Sequence, residues 1–237
     1  MTFSISGFCQ KTSMVGVAIT TSSICVASRC PWVRAGVGAA ATQNVTDPSL
    51  GSLMLDYLEE GLSVQQTIDK IVNEHKFINY RQLALVDSKG NCVSYTGSKT
   101  LGTNAVSEGD CCVAAGNLLS SIEVVQAMTN NFTRNNNLHL AERLLSALQA
   151  GVDAGGEEGP VHSAGLKVAH QHSWPLVDLR IDWVEDKPIT ELMKLWRAYE
   201  PQMMDYNSRA IDPAQAPNYG VPGDMNYSSS EYLIRTY

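Results

Sequence analysis

The chain has 237 residues, of which 44% are hydrophobic and 17% charged, a composition typical of one globular domain or of one domain with an appendage. Its net charge of −7 and its pI of about 5.2 argue against nucleic acid and against an anionic membrane surface as partners, because both require clustered Lys and Arg. We find no apolar run of about 18 residues and no secretory leader pattern, so we expect a cytoplasmic protein.

The first forty residues alternate apolar and small polar residues, a pattern that predicts strands. The predicted strands are TFSISGF, SMVGVAITT, SICVAS and AGVGAAATQ, with turns at KTS and RCPWVR. Gly36 and Gly38 leave one face of the last strand without side chains, so we expect another backbone or a ligand to approach it. The period then becomes helical in DPSLGSLMLDYLEEGL, with Asp47 as the predicted N-cap, and in SVQQTIDKIVNEH, with Ser63 as the N-cap.

The remaining regular segments continue this order. RQLALVD and NCVSYTG flank SKG, which predicts a hairpin, and CCVAAGNLLS is a predicted buried strand. The later elements are the helices SIEVVQAMTNNF and LHLAERLLSALQAGVDAGG, the strands VHSAGLKVAH and PLVDLRIDW, and the helix PITELMKLWRAYE. Runs of strands that alternate with runs of helices predict an α+β fold with antiparallel sheets and separate helix layers.

Residues 201–237 differ in composition, because Pro, Asn, Ser and Tyr replace the Leu and Val of the core. We therefore predict a domain over 1–200 and an extended arm over 201–237 that packs on the domain or on a neighbouring subunit. With Trp183, Trp196 and Tyr199, this arm would supply a self-complementary interface, so we expect a homo-oligomer.

The six cysteines form no C-x-x-C pair, and no histidine lies at metal-ligand spacing from them. In a reducing compartment they are expected to be small buried thiols. We therefore predict no metal and no cofactor.

Thr2 is a candidate catalytic residue. Initiator Met is normally removed before a small residue, which would leave Thr2 with both a hydroxyl and a free α-amino group. Such an amine has a pKa of about 7.7–8.0 and can act as the general base without a histidine. A Ser–His–Asp site remains an alternative, although no G-x-S-x-G elbow is present.

Several separated segments resemble the uncharacterised bacterial and archaeal family called domain of unknown function 1028. They are MTFSI, PWVRAGVGAAATQNVTDP at 31–48, RQLALVDSKG, the GN of AAGNLLS, AERLLSALQAG and DLRIDW, in order over about residues 2–199. The resemblance implies an Ntn-hydrolase-like fold, the four-layer αββα sandwich of two antiparallel sheets between helix layers. Amide hydrolases with this fold use an N-terminal Thr, Ser or Cys.

The resemblance implies Thr2 as nucleophile and base. The side-chain amide of Asn117, or the N–H groups of Gly116 and Asn117, would supply an oxyanion donor. Arg34 or Arg29 would lower the pKa of the amine or bind a substrate carboxylate. The other candidate substrate-binding residues are Thr42, Gln43, Asn44 and His162.

Structural roles compete with these assignments. Arg34 is equally suited to a buried ion pair with Asp178 or Asp182, and Asn117 to a turn. Gln43 and Asn44 also suit a strand-end cap, and His162 a strand edge. The acidic pair Glu157 and Glu158 lies in a Gly-rich segment and is expected to be solvated.

Three functions follow from these residues. The first is an amide hydrolase that acts on a small amide or peptide-like metabolite through Thr2. The second is a non-catalytic binding or assembly protein that keeps the scaffold. The third is an enzyme of another class, such as a cyclohydrolase or isomerase, that uses Arg34 and Asn117.

Overall fold

The computed structural model describes residues 2–219. They divide into two compact units, one ending at Trp196 and the other beginning at Arg197. The first unit contains two antiparallel sheets, and five α-helices occur in the described chain, so the predicted α+β class is confirmed. In residues 2–219 no helix is both long and apolar enough to span a membrane.

The strands are β1 (Thr2–Phe8), β2 (Val15–Thr21), β3 (Pro31–Arg34), β4 (Gly38–Asn44), β5 (Arg81–Asp87), β6 (Cys92–Thr96), β7 (Ala105–Gly109), β8 (Cys112–Asn117), β9 (Ser163–Ala169) and β10 (Val177–Ile181). The helices are α1 (Ser49–Glu59), α2 (Val64–Glu74), α3 (Glu123–Arg134), α4 (Leu140–Asp153) and α5 (Pro188–Ile211). Short 3-10 helices occupy Val26–Ser28 and Ile78–Tyr80.

The larger sheet has the order β10-β9-β2-β1-β8-β7, and the smaller has the order β3-β4-β5-β6. Strand β1 is therefore central in the larger sheet and pairs with β2 on one side and β8 on the other. Because both neighbours are antiparallel to β1, the start of β1 lies beside the ends of β2 and β8.

The alternation of side chains in β1 explains how the sheets are covered. Ser4 faces the smaller sheet, where it donates to Gln43, whereas Gly7 faces α3, where an added Cβ would lie 2.5 Å from Phe132. Helices α3 and α4 pack on the larger sheet, and α1 and α2 pack on the smaller one. Mostly small side chains fill the space between the sheets, among them Ala39, Ala41, Ala84, Val113 and Ala115.

Close backbone approach explains one predicted glycine position. A Cβ on Gly38 would lie 2.5 Å from the carbonyl oxygen of Val86 in the neighbouring strand. The expectation that another backbone approaches the AGVGAAATQ segment is therefore confirmed for Gly38.

Two secondary-structure predictions near the start of the chain are wrong. The predicted strand SICVAS is instead a turn and a 3-10 helix, with Cys25 in a left-handed conformation at φ 56°. The predicted turn RCPWVR contains edge strand β3, which starts at Pro31 and places Trp32 against Gly51 of α1. Tertiary packing of Trp32 explains why a segment with turn-like composition is extended.

The last helix continues beyond the boundary predicted at residue 200. Helix α5 passes through Pro201 and reaches Ile211, so the prediction of an extended arm is wrong for 201–211. Within the second unit, Tyr199 and Tyr206 stack at 6.2 Å, and Arg209 lies 3.9 Å from Asp205 one turn earlier. These side-chain pairs stabilise the helix after the proline. The rest of the predicted arm from 220 onward lies outside the described residues.

The contact between α1 and β3 gives a test of the fold. A Cβ on Gly51 would lie 1.9 Å from Cδ1 of Trp32, so Gly51→Ala forces the indole to move. We expect the free energy of unfolding to fall by about 1–3 kcal/mol, although Ala favours a helix by about 1 kcal/mol over Gly. Urea denaturation measures the change, and Ser52→Ala in the same helix is the control, with an expected change within about 0.5 kcal/mol. A gain in stability for Gly51→Ala would contradict the packing.

Candidate active site at the start of the first strand

Thr2 occupies a sheltered position at the end of the larger sheet. It is the first residue of β1 and pairs with Thr21 of β2 and Asn117 of β8. The residue is 7% exposed, and its Oγ1 lies 3.1 Å from Oγ1 of Thr21, within hydrogen-bond distance. The fold therefore brings together two of the predicted catalytic residues, Thr2 and Asn117.

A buried network of amides links the two sheets beside Thr2. Asn117 Nδ2 donates to Gln82 Oε1 at 3.2 Å, and Gln43 Nε2 donates to the same oxygen at 2.9 Å. Ser4 Oγ donates to Gln43 Oε1 at 2.7 Å. All four side chains are at most 1% exposed, so these bonds form away from water, where losing one is costly.

Gln82 is the member of this network that sequence reasoning missed. Its Nε2 donates to the carbonyl oxygen of Gly116 at 3.0 Å and lies 3.3 Å from Thr96 Oγ1, so both ends of the amide are bonded. The available signal was an uncharged polar residue immediately before the apolar run of the predicted strand RQLALVD. Its role also depends on the pairing with Gln43 across β4 and β5, which the sequence does not specify.

Asn117 has hydrogen-bonding capacity beyond this network. Its Oδ1 is buried and has no hydrogen-bond partner in the described part of the chain. Its Nδ2 carries two hydrogens, of which Gln82 receives one. The side chain therefore has one donor and one acceptor position beyond those the network uses.

Glu157 is the second residue that sequence reasoning missed, because it was expected to be solvated. That expectation is wrong: Glu157 is only 7% exposed, whereas Glu158 is exposed as predicted. Burial raises the pKa of the Glu157 carboxyl to about 8, although the positive charge of the amino terminus and the backbone N–H of Ser22 act to lower it. No hydrogen bond of ordinary geometry reaches either carboxylate oxygen from residues 2–219.

The position of Glu157 results from long-range backbone contacts. Its backbone bridges to Leu119, two residues after Asn117, and the N–H of Glu158 donates to the carbonyl oxygen of Leu118 at 3.1 Å. The segment after α4 thus crosses the end of β8. No local pattern of charge or hydrophobicity in the sequence predicts this crossing. The Gly-rich composition by itself predicts an exposed turn.

Other predicted binding residues have backbone partners. Thr42 Oγ1 donates to the carbonyl oxygen of Asp47 at 3.1 Å. Asn44 Nδ2 donates to the carbonyl oxygen of Tyr80 at 2.6 Å, and its Oδ1 accepts from the N–H of Leu101, as expected for a strand-end cap. Arg29 Nη1 donates to the carbonyl oxygens of Ile24 and Cys25 at 2.7 and 2.9 Å.

His162 lies beside the site and immediately precedes β9. Its N–H donates to the carbonyl oxygen of Thr21 at 2.8 Å, and its Nδ1 lies 3.0 Å from the carbonyl oxygen of Val184. The ring stacks on Trp183, with centroids 4.4 Å apart. These contacts place the residue next to Thr21 and give its imidazole a structural partner.

Arg34 lies away from Thr2. It pairs with Gly38 at the opposite end of β4 from Gln43, and its guanidinium bonds Asp56 and Glu59 of α1, each at 2.7 Å. The prediction that Arg34 lies beside Thr2 is therefore wrong, and so is the alternative that paired it with Asp178 or Asp182. Two carboxylates one turn apart on α1 offered Arg34 a nearer partner, a contact that depends on how the helix docks.

A cavity of about 590 Å³ lies next to Glu157. Its lining is largely apolar, from Phe3, Val152, Pro160, Val161 and Ile189, with Asp186 and Lys187 also contributing. Phe3 follows Thr2 but points to the opposite face of the sheet. Within the described chain, no three His, Cys, Asp or Glu side chains are grouped so as to hold a metal ion.

The amide network gives a test that does not require a substrate. Gln82→Leu removes the acceptor of Gln43 and Asn117 and the donor to Gly116, so three buried polar groups each lose one hydrogen bond. We expect the free energy of unfolding to fall by about 3 kcal/mol or more. Denaturant unfolding measures it, with the exposed Gln65→Leu as the matched control, expected within about 0.5 kcal/mol. Equal effects of the two substitutions would rule out the network.

Comparison with known proteins identifies the family. Residues 2–192 match the model of the "Family of unknown function (DUF1028)". A crystal structure of a protein from Silicibacter pomeroyi with the same family assignment is similar, with a TM-score of 0.78 and 31% identity over 84% of this chain and 88% of that one. No curated protein sequence gives a significant match.

Two more distant structures are Anbu proteins. The Anbu (ancestral beta-subunit) of Yersinia bercovieri has a TM-score of 0.38 and 11% identity over 91% of this chain and 98% of its own. An Anbu mutant from Hyphomicrobium sp. strain MC1 has a TM-score of 0.40 and 10% identity over 86% and 97%. These scores are too low to carry an inference. The matched residues and the Silicibacter structure establish that the chain belongs to the family of unknown function DUF1028.

Proposed function

We propose that this protein is a cytoplasmic N-terminal-nucleophile amide hydrolase whose nucleophile is Thr2 after removal of Met1. The observation that carries the proposal is the position of Thr2, which begins a central strand and is 7% exposed between Thr21 and Asn117. A strand held on both sides presents its first residue more rigidly than a loop would. The substrate class is a small amide or peptide-like metabolite.

The proposed reaction requires the hydroxyl and α-amino groups of Thr2 and one hydrogen-bond donor for the oxyanion. The α-amine of Thr2, as the free base, takes the proton of the hydroxyl while Oγ1 attacks the amide carbonyl. The tetrahedral intermediate collapses, the C–N bond breaks, and the leaving amine receives that proton. Water then attacks the ester on Thr2, which releases the acid and restores the hydroxyl.

Asn117 is the proposed oxyanion donor. The second hydrogen on its Nδ2 is the one that Gln82 does not receive, and the buried network restricts the orientation of the amide. Donors that are already oriented stabilise the developing charge without reorganisation, and loss of one such donor typically slows turnover 10²–10³-fold.

The proposed architecture is the four-layer αββα sandwich. Its support is the packing of α1 and α2 on the smaller sheet and of α3 and α4 on the larger, with an apolar layer of small side chains between the sheets. In this arrangement the polar network with Gln43 and Gln82 replaces the apolar layer at the end where Thr2 lies.

The alternative that assigns chemistry to Arg34 with Asn117 loses its support, because Arg34 bonds Asp56 and Glu59 away from Asn117. A non-catalytic scaffold is the remaining alternative, and it predicts that Met1 stays on the chain and that the hydroxyl of Thr2 is dispensable.

The proposal predicts that intact-mass measurement of natively expressed protein finds Met1 removed. It also predicts that Thr2→Ala lowers amide turnover by at least about 10³-fold while the circular dichroism spectrum is retained. The assay is a screen of small amides, lactams and acyl-amino acids, with the released acid or amine as the readout.

Two control variants separate chemistry from folding. Thr2→Ser keeps a hydroxyl and an amine, so we expect measurable turnover. Thr20→Ala removes another buried threonine hydroxyl of the same sheet, which donates to the carbonyl oxygen of Ser163, and turnover by the folded protein should persist. Full activity in Thr2→Ala would refute the proposal and favour the other functions.

We also propose a homo-oligomer in which residues near the carboxyl end contribute to the interface. Trp183 is 48% exposed and open to a partner, but Trp196 is buried against His139 and is a core residue instead of an interface residue. Deletion of 212–237, which leaves α5 whole, is expected to reduce the mass measured by light scattering. An unchanged oligomeric mass would remove the carboxyl-terminal segment from the interface.

A further inference from the structure

Glu157 lies where the two strands that flank Thr2 end. On one side, its backbone bridges to Leu119, which follows β8 and its terminal residue Asn117. On the other side, the backbone N–H of Ser22, the residue after Thr21 in β2, faces its carboxylate. Since Thr21 and Asn117 are the pairing partners of Thr2, Glu157 lies at the end of the sheet at which β1 begins.

We propose that Glu157 is a positioning residue for the α-amino group of Thr2, which its carboxylate binds and from which it accepts a proton. The inference rests on the proposed function, because Thr2 has this amine only after Met1 is removed. In the step, one proton moves from the ammonium nitrogen of Thr2 to a carboxylate oxygen of Glu157. The amine is then the free base that the hydroxyl requires, and no other bond changes.

An unpartnered carboxylate in this position has a free-energy cost that an ammonium group would offset. Both oxygens of Glu157 are buried and neither accepts a hydrogen bond of ordinary geometry from residues 2–219, although the N–H of Ser22 faces the carboxylate; burying a carboxylate in that state is unfavourable by several kcal/mol. An ammonium group supplies both an opposite charge and up to three donors.

The acid–base balance of the two groups fits proton exchange. Burial raises the pKa of the Glu157 carboxyl well above its ordinary value, toward the 7.7–8.0 of an ordinary α-amine. A smaller difference between the two pKa values lowers the free-energy cost of moving the proton from the ammonium group to the carboxylate.

Other charged groups near Glu157 are poor competitors for this role. Glu158 is exposed, and its N–H is bonded to the carbonyl oxygen of Leu118. Asp186 and Lys187 line the adjacent cavity, but their side chains are 78% and 73% exposed and lie 3.7 Å from each other. Solvent screens such surface charges, so Glu157 is the buried charge positioned to act on the amine.

The experiment measures the pKa of the α-amine of Thr2 directly. The full chain is released from a ubiquitin-like fusion so that Thr2 is its first residue, and [¹⁵N]Thr labelling reports the titration of the amine by NMR. We expect Glu157→Gln to lower this pKa by about one unit or more, equivalent to a tenfold change in proton affinity, because the carboxylate no longer stabilises the ammonium.

The matched control is Glu158→Gln, which makes the same change one residue away at an exposed position and should leave the pKa of the amine within about 0.3 units. If Glu157→Gln does not fold, Glu157→Asp keeps the charge on a shorter side chain, and a lowered amine pKa is again expected. An amine pKa unaffected by either change at 157 overturns the proposal.

The outcome is independent of the proposed function in two respects. The fusion supplies the Thr2 terminus whether or not cells remove Met1, and the measurement uses no substrate. A chain that retains Met1 in cells would therefore refute the hydrolase without altering the NMR result.

Discussion

Strand β1 is held on both edges for nearly its whole length, and the candidate site depends on this constraint. Seven of its residues pair with β2 and six with β8, so the position of its first residue is set by two ladders. Thr2 could not be moved without breaking pairs on both sides. A nucleophile placed in this way has little orientational entropy left to lose when a substrate binds.

The side chains that fill the space between the two sheets change from apolar to polar along β1. At one end, small apolar side chains such as Ala41 and Ala84 let the sheets approach, whereas at the other end Gln43, Gln82 and Asn117 meet. These amides are buried, and the network holds the donor proposed for the oxyanion. The same residues thus contribute to stability and orient a polar group, which is why substitutions at Gln82 need a folding control before any effect on turnover is interpreted.

Features that depend on nearby residues could be predicted from the sequence, and those set by distant contacts could not. The hairpin after β5 follows from Gly90 at φ 89°, and the start of α2 follows from Ser63, which forms a capping box with Gln66. Thr2 and Asn117 were identifiable as candidates, but their pairing follows from the order of strands. Arg34 and Glu157 were misplaced because their surroundings come from a docked helix and from a segment that crosses β8. A charged side chain has no hydrophobic period to indicate which neighbours it will meet.

The burial of Thr2 also decides how the protein should be produced. A peptide fused ahead of Thr2 would start at a buried position, between Thr21 and Asn117. Such a fusion converts the α-amine of Thr2 into a peptide amide, which cannot act as a base. Purification handles therefore belong at the carboxyl end, and protein with an extended amino terminus is useful as a reference state in which the scaffold is intact and the proposed base is absent.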